Sequence, residues 1–203
     1  MGLISNGTTI FDNGAMASGF GGSMVLVSSA TISIGTASVE FSLGSYKEYV
    51  FYFTNIHHST DGEATFAFQT STNSGSTYDT TTTSTMFNAY QNEAGDTSGL
   101  AYYAGGDQAQ GTGLQLLNSG GSGGDNDQAL SGYLHLFNPS STVFVKHYTA
   151  VTNCYTDNDQ SKVAYTAGYF NTTSALTNIQ FKPGRVSLAT NFDAGTILMY
   201  GIV

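Results

Sequence analysis

Runs of β-branched and aromatic residues, cut by Gly, Asn or Pro at intervals of roughly 8–12 residues, fill the chain from Ser23 onward and leave almost no helical periodicity. A chain written this way has to bury its apolar residues between sheets. Val39, Phe41 and Leu43 alternate with Ser38, Glu40 and Ser42, which predicts a strand with one buried and one wet face. The run from Glu48 to Ile56 is apolar on both faces, and predicts a central strand covered on both sides. His57 to Gly62 reads as a turn, with Ala64 to Gln69 returning as the second arm of a hairpin. Ala129 to Phe137 and Thr142 to Val151, joined across Asn138, Pro139, Ser140 and Ser141, read as a long hairpin at the heart of a sheet. Met24 to Val27, Ala30 to Ile34, Val163 to Phe170, Ala175 to Phe181, Arg185 to Leu188 and Thr196 to Ile202 supply further strands. The expectation is an all-β fold, an antiparallel β-sandwich of jelly-roll or related Greek-key type.

Two segments differ from this text. Residues 1–22 carry six glycines among Leu3, Ile4, Ile10 and Phe11, too interrupted for an independent core and too apolar for a solvated tail. They read as an N-terminal docking arm, and 23–203 as a single sandwich domain. Ser119 to Asp125 is Gly-rich and reads as the most flexible loop of that domain.

Charge narrows the function classes. Only 9% of residues are charged, and five Lys and Arg stand against fourteen Asp and Glu, a formal net charge of −9. Such a field repels phosphate backbones, so nucleic acid is not an expected partner. A surface dressed in hydroxyls and amides suits a protein whose neighbours cover much of it. The single cysteine, Cys154, forbids an intrachain disulfide and reads as a small buried residue. The N-terminus lacks a secretory pattern and no run is long enough to span a bilayer, so neither export nor membrane insertion is expected.

No motif carries a reaction. A Gly-x-Ser-x-Gly elbow and a phosphate loop are both missing. His57 and His58 with Asp61 and Glu63 offer metal-ligand residue types, but adjacent strand residues face opposite ways, and no metal or other cofactor is expected. Asp125, Asn126 and Asp127, repeated as Asp157, Asn158 and Asp159, suit Ca²⁺ by type, yet lack the Gly and distal Glu of an EF-hand and read as Asx-turns. His135 and His147 read as cross-strand or interface residues. From loop position, Tyr78, Asp79, Tyr102, Tyr103, Asp107, Asp125 and Asp127 are the candidate ligand contacts.

The opening Gly2 to Asp12, Tyr46 to Phe53, Asp125 to Gln128 with Ser131 to Ser141, Val145 to His147, Ala167 to Ser174 and the ending Gly195 to Ile202 together resemble a group of virion structural proteins of aquatic tailed bacteriophages. The resemblance spans nearly the whole chain. It implies an exposed β-sandwich on the particle, assembled in the host cytoplasm with other virion proteins, and hands over no binding residues. The expectation is a non-enzymatic appendage or tail-fibre-type module that associates as a homo-oligomer, a trimer, and meets host-surface glycan or protein. A head decoration protein clamping capsid subunits is the alternative. A glycan-binding module or polysaccharide hydrolase stands further off.

Overall fold

The computed structural model describes residues 23–60, 64–184 and 191–202, together with three short N-terminal strands. In chain order these three are β1 (Leu3–Ser5), β2 (Thr8–Asp12) and β3 (Ala15–Met16). There follow β4 (Met24–Ile32), β5 (Val39–Ser42), β6 (Glu48–His58), β7 (Phe66–Ser71) and β8 (Thr82–Asn92). Next come β9 (Ser98–Tyr102), β10 (Gln115–Leu116), β11 (Leu130–Phe137) and β12 (Lys146–Thr156). β13 (Gln160–Phe170), β14 (Asn178–Pro183) and β15 (Phe192–Ile202) complete the set.

The protein is all-β, and every ladder is antiparallel. One sheet has eight strands in the order β4-β15-β6-β11-β12-β13-β8-β9, and a second has four in the order β10-β7-β14-β5. β1, β2 and β3 pair with one another as a third small sheet. Within that predicted arm, Leu3 pairs with Phe11 and the Ile4 side chain is 61% exposed. β11 and β12 form the expected central hairpin, in register from Leu130 opposite Cys154 to Leu136 opposite Tyr148.

The four-stranded sheet lies on one face of the eight-stranded one, and aromatic rings fill the space between. Phe181 of β14 is fully buried and meets Phe51 and Phe53 of β6 at 5.2 Å between ring centroids. It also meets Phe66 at 5.7 Å and Phe41 and Phe68 at 6.2 Å. Rings offset or tilted at these spacings add about 0.5–1.5 kcal/mol per pair to what burial alone supplies. Further along, Tyr148 packs on Phe68 and Phe170, and its hydroxyl shares a hydrogen bond with Thr82 Oγ1 and donates to Gln115 Oε1. Gly168 leaves room for that ring: a Cβ there would stand 2.5 Å from the Tyr148 hydroxyl oxygen.

Several expectations are corrected. Met24 to Val27 and Ala30 to Ile34 are one strand, β4, not two. His57 and His58 continue β6 rather than turning. β6 and β7 are not a hairpin, because they belong to different sheets; Phe53 and Phe66 meet at 4.8 Å across the sandwich. The Gly-rich 119–125 loop is largely buried: Ser122 is fully enclosed, its N–H donates to Ala64 O, and Asn118 Oδ1 accepts from Phe66 N. Gly120 takes a positive φ of 136°, where a Cβ would stand 3.0 Å from Lys162 Nζ, a role composition cannot separate from flexibility. β6 is covered on one face only, since Tyr52 and Thr54 remain exposed while Phe51 and Phe53 are buried. The expected strand at Arg185 to Leu188 lies outside the described residues.

Phe181→Ala removes the ring that five others meet, and is expected to cost about 3–5 kcal/mol of stability in urea unfolding. Tyr52→Ala, on the other side of the same sheet, is expected to cost under about 1 kcal/mol.

Candidate functional site

The side of the eight-stranded sheet turned away from the sandwich is built by the alternate residues of each strand. Because the ladders are in register, these residues line up in rows across the strands. One row runs the full width. From β15, Leu198 stands beside Ser29 on one side and Tyr52 on the other. Tyr52 stands beside Tyr133, Tyr133 beside Val151, and Val151 beside Tyr165. Tyr165 faces Phe87, and Phe87 faces Tyr102 at the far edge.

These rings touch one another and remain open to solvent. Tyr52 meets Tyr200 at 5.8 Å and Tyr133 at 6.5 Å, both edge-on, while Phe87 and Tyr165 stack at 4.9 Å with an interplanar angle of 11°. Phe87 and Tyr165 are each 42% exposed, and Tyr102 is 58% exposed. Their in-strand neighbours Phe51, Leu134, Ala164 and Met86 are buried on the inner side.

The next row has a different profile. On β12, β13 and β8 it consists of Thr149, Ala167 and Thr85, three small side chains side by side. They floor a trough between the Phe87–Tyr165 stack and His147, which packs on Tyr169 at 6.1 Å. The trough comprises two adjoining depressions of about 420 and 210 Å³. A ridge of rings and a trough of small residues therefore lie side by side on one sheet face.

The carboxylates along this side are hydrogen-bonded to neighbouring side chains. Glu48 accepts from His135 Nδ1 at 2.6 Å, with His135 packed between Tyr133 and Phe137. At the edges Asp107 accepts from the Tyr102 hydroxyl, Asp159 from the Tyr155 hydroxyl, and Asp193 pairs with His57.

A second cluster of titratable groups lies at the end of β6. His57 Nδ1 is 2.5 Å from Asp193 Oδ1, and Nε2 is 2.9 Å from the Asp125 carbonyl oxygen. A carboxylate and a carbonyl both accept, so the protonated ring satisfies both partners with its two N–H groups. Burial opposes that charge, but the hydrogen bonds to Asp193 and to the Asp125 carbonyl, with both carboxylates nearby, raise the His57 pKa above 6.5. His58 points the other way, fully buried against Phe192, with Nδ1 2.8 Å from Ser122 Oγ. Burial first, and the His57 charge second, lower its pKa to about 4. The two adjacent rings thus clip the buried 119–128 loop from opposite faces of one strand. Among the described residues no three metal-ligating side chains converge; Asp61 and Glu63 lie outside them.

The contacts predicted from loop position are spread over the molecule. Tyr78 donates to Glu40 Oε2, and burial with that carboxylate pushes its pKa up to about 12; Asp79 accepts from Thr77 Oγ1. Tyr102 donates to Asp107 Oδ2 and ends the aromatic row. Tyr103 lines a separate 200 Å³ hollow with Asp157 and Lys162. Asp127 borders a 400 Å³ hollow beside His57 and Asp193, and Asp125 gives its carbonyl to His57. Asp157 to Gln160 form the β12–β13 turn, where Asp159 accepts from the Tyr155 hydroxyl. Cys154 is buried, and burial pushes its thiol up to about 11. Sequence reasoning did not single out the row itself, nor Lys146, which is fully buried and donates from Nζ to Thr172 O. Comparison with protein-family models and with curated proteins finds no match.

His58 sets the expected acid response. Its folded pKa is depressed, so the unfolded chain takes up a proton near pH 6.5 that the folded chain refuses until about pH 4. Stability is expected to fall by roughly 3 kcal/mol over that window as pH drops. His57, with a raised pKa, acts oppositely: its contribution is complete below about pH 6.5 and fades as pH rises through its folded value. Urea midpoints across pH 4–8 check this, and His58→Phe is expected to flatten the acid limb.

Proposed function

We propose that the chain is a non-enzymatic structural protein of a virion surface, an appendage or tail-fibre-type module held in a homo-oligomeric assembly. The open aromatic face of the eight-stranded sheet carries this reading. Monomeric soluble proteins rarely expose contiguous apolar patches beyond about 300–600 Å², and larger ones mark protein interfaces. Tyrosine-rich patches of this kind suit association, since each ring offers large contact area at low entropic cost. β4 extends the same patch at the sheet edge through Met24 and Leu26, which stand beside Ile202 and Tyr200, while Val25 between them is exposed on the opposite side. An apolar edge strand is itself a template for pairing. The low charge of the chain and its resemblance to phage virion proteins support the same reading, with other virion proteins as partners. Leu3, Ile4, Ile10 and Phe11 serve as the docking arm. The loops bearing Tyr78, Asp79, Asp107 and Asp127 are left for host-surface glycan or protein.

The reactive side chains agree with a structural role. The His57 ring nitrogens are both committed to acceptors, and the Cys154 thiol is enclosed. Quantitative mass spectrometry of purified particles tests the reading. The chain is expected in the particle at low copy number relative to the major shell protein. A copy number matching the shell protein would replace the appendage with a head decoration, and absence from particles would overturn the virion assignment.

A further inference from the structure

We infer that a second copy of this chain docks face to face on the open side of the eight-stranded sheet, each copy's ring ridge lying in the other's trough. The inference deepens the assembly reading and rests on it for its biological setting.

The occupant follows from three properties of the face. Size is the first. Eight strands at about 4.8 Å spacing, most near eleven residues long at about 3.4 Å each, give a footprint on the order of 1,000 Å². A stable dimer needs about 800 Å² per partner, so the face alone suffices. Charge is the second. A molecule of net charge −9 meets its own copy best where carboxylates are few and already bonded, and on this side Glu48 is paired with His135, Asp107 with Tyr102 and Asp193 with His57.

Shape is the third and decides for self-association. On β12, β13 and β8 the ridge and trough are neighbouring parallel rows. On β11, β6 and β15 the row beside the ridge is His135, Val50 and Tyr200, so the ridge-to-trough fit is carried by the first three strands. A two-fold axis running along the rows, midway between them, superposes the ridge of one copy on the trough of the other and keeps each strand over its own counterpart. Tyr165 then stands over the partner's Ala167, flanked by Phe87 over Thr85 and Val151 over Thr149. Large side chains meet small ones along β8, β13 and β12, as in the interdigitated core of two aligned sheets packed about 10 Å apart. Tyr52 would be covered on its open side, which makes β6 the doubly covered strand its sequence describes. The contact is isologous, so it gives a pair rather than the trimer expected from sequence.

Sedimentation equilibrium of the purified full chain tests this. A dimer is expected, and Ala167→Arg, which fills the trough, is expected to weaken it by roughly 30-fold or more while the circular dichroism spectrum stays that of the folded all-β chain. Tyr165→Ala is expected to weaken it as well, and combining Tyr165→Ala with Ala167→Tyr, which exchanges ridge for trough, is expected to recover part of the loss. A chain that stays monomeric at all concentrations overturns the inference, as does a dimer indifferent to Ala167→Arg. Particle composition is read separately: a dimer from a chain absent from particles sinks the virion reading alone, and a monomer from a chain present in them sinks this inference alone.

Discussion

An eight-stranded sheet has two faces, and the described residues of this chain supply a second layer for only one of them. The four-stranded sheet is anchored through Phe181, whose ring meets Phe41, Phe51, Phe53, Phe66 and Phe68. That contact fixes which face of β6 is inside. Every alternate residue on the strands around it is then committed, because strand side chains alternate with period two. Tyr52, Tyr133, Tyr165 and Phe87 are outside for the same reason that Phe51, Leu134, Ala164 and Met86 are within.

The asymmetry also explains where polar chemistry is found. Hydrogen-bonded hydroxyls and amides such as Tyr148, Thr82 and Gln115 are enclosed between the sheets, where each finds a partner. His57 and His58 work at one end of β6, pinning the buried Gly-rich loop from both sides. One is held charged by Asp193 and Asp125, the other neutral by burial, so the pair stabilises a single loop position near neutral pH. His57 and Asp193 lie on the outer side of the sheet at one end of β6, bonded to each other beyond the aromatic row.

Much of the fold was legible in the residues. The alternation in β5, the β11–β12 hairpin around Pro139 and the all-β, antiparallel, two-layered character follow directly from periodicity and turn chemistry. What periodicity cannot supply is which strand lies beside which. β6 and β7 adjoin in sequence, yet β7 joins the other sheet beside β14, so that Phe66 meets Phe53 of β6 across the sandwich. The aromatic row draws on β15, β6, β11, β12, β13, β8 and β9, whose order differs from chain order, so no local pattern announces it. The trough is harder still, since Thr85, Ala167 and Thr149 are unremarkable until register sets them side by side. One signal was present: a strand apolar on both faces, Glu48 to Ile56, whose outer cover the described residues do not provide. Tyr102 alone among the loop-based candidates belongs to the row, and it was chosen for exposure rather than for its neighbours.

The central claim is that this face is covered in the working state. Nitration of tyrosine with mass-spectrometric readout measures that directly, comparing the dilute isolated chain with the assembled form and taking Tyr78, outside the face, as the reference. Tyr52, Tyr133 and Tyr165 are expected to react in the dilute chain and to be strongly protected on assembly while Tyr78 is unchanged. Equal reactivity of the three rings in both states would contradict it.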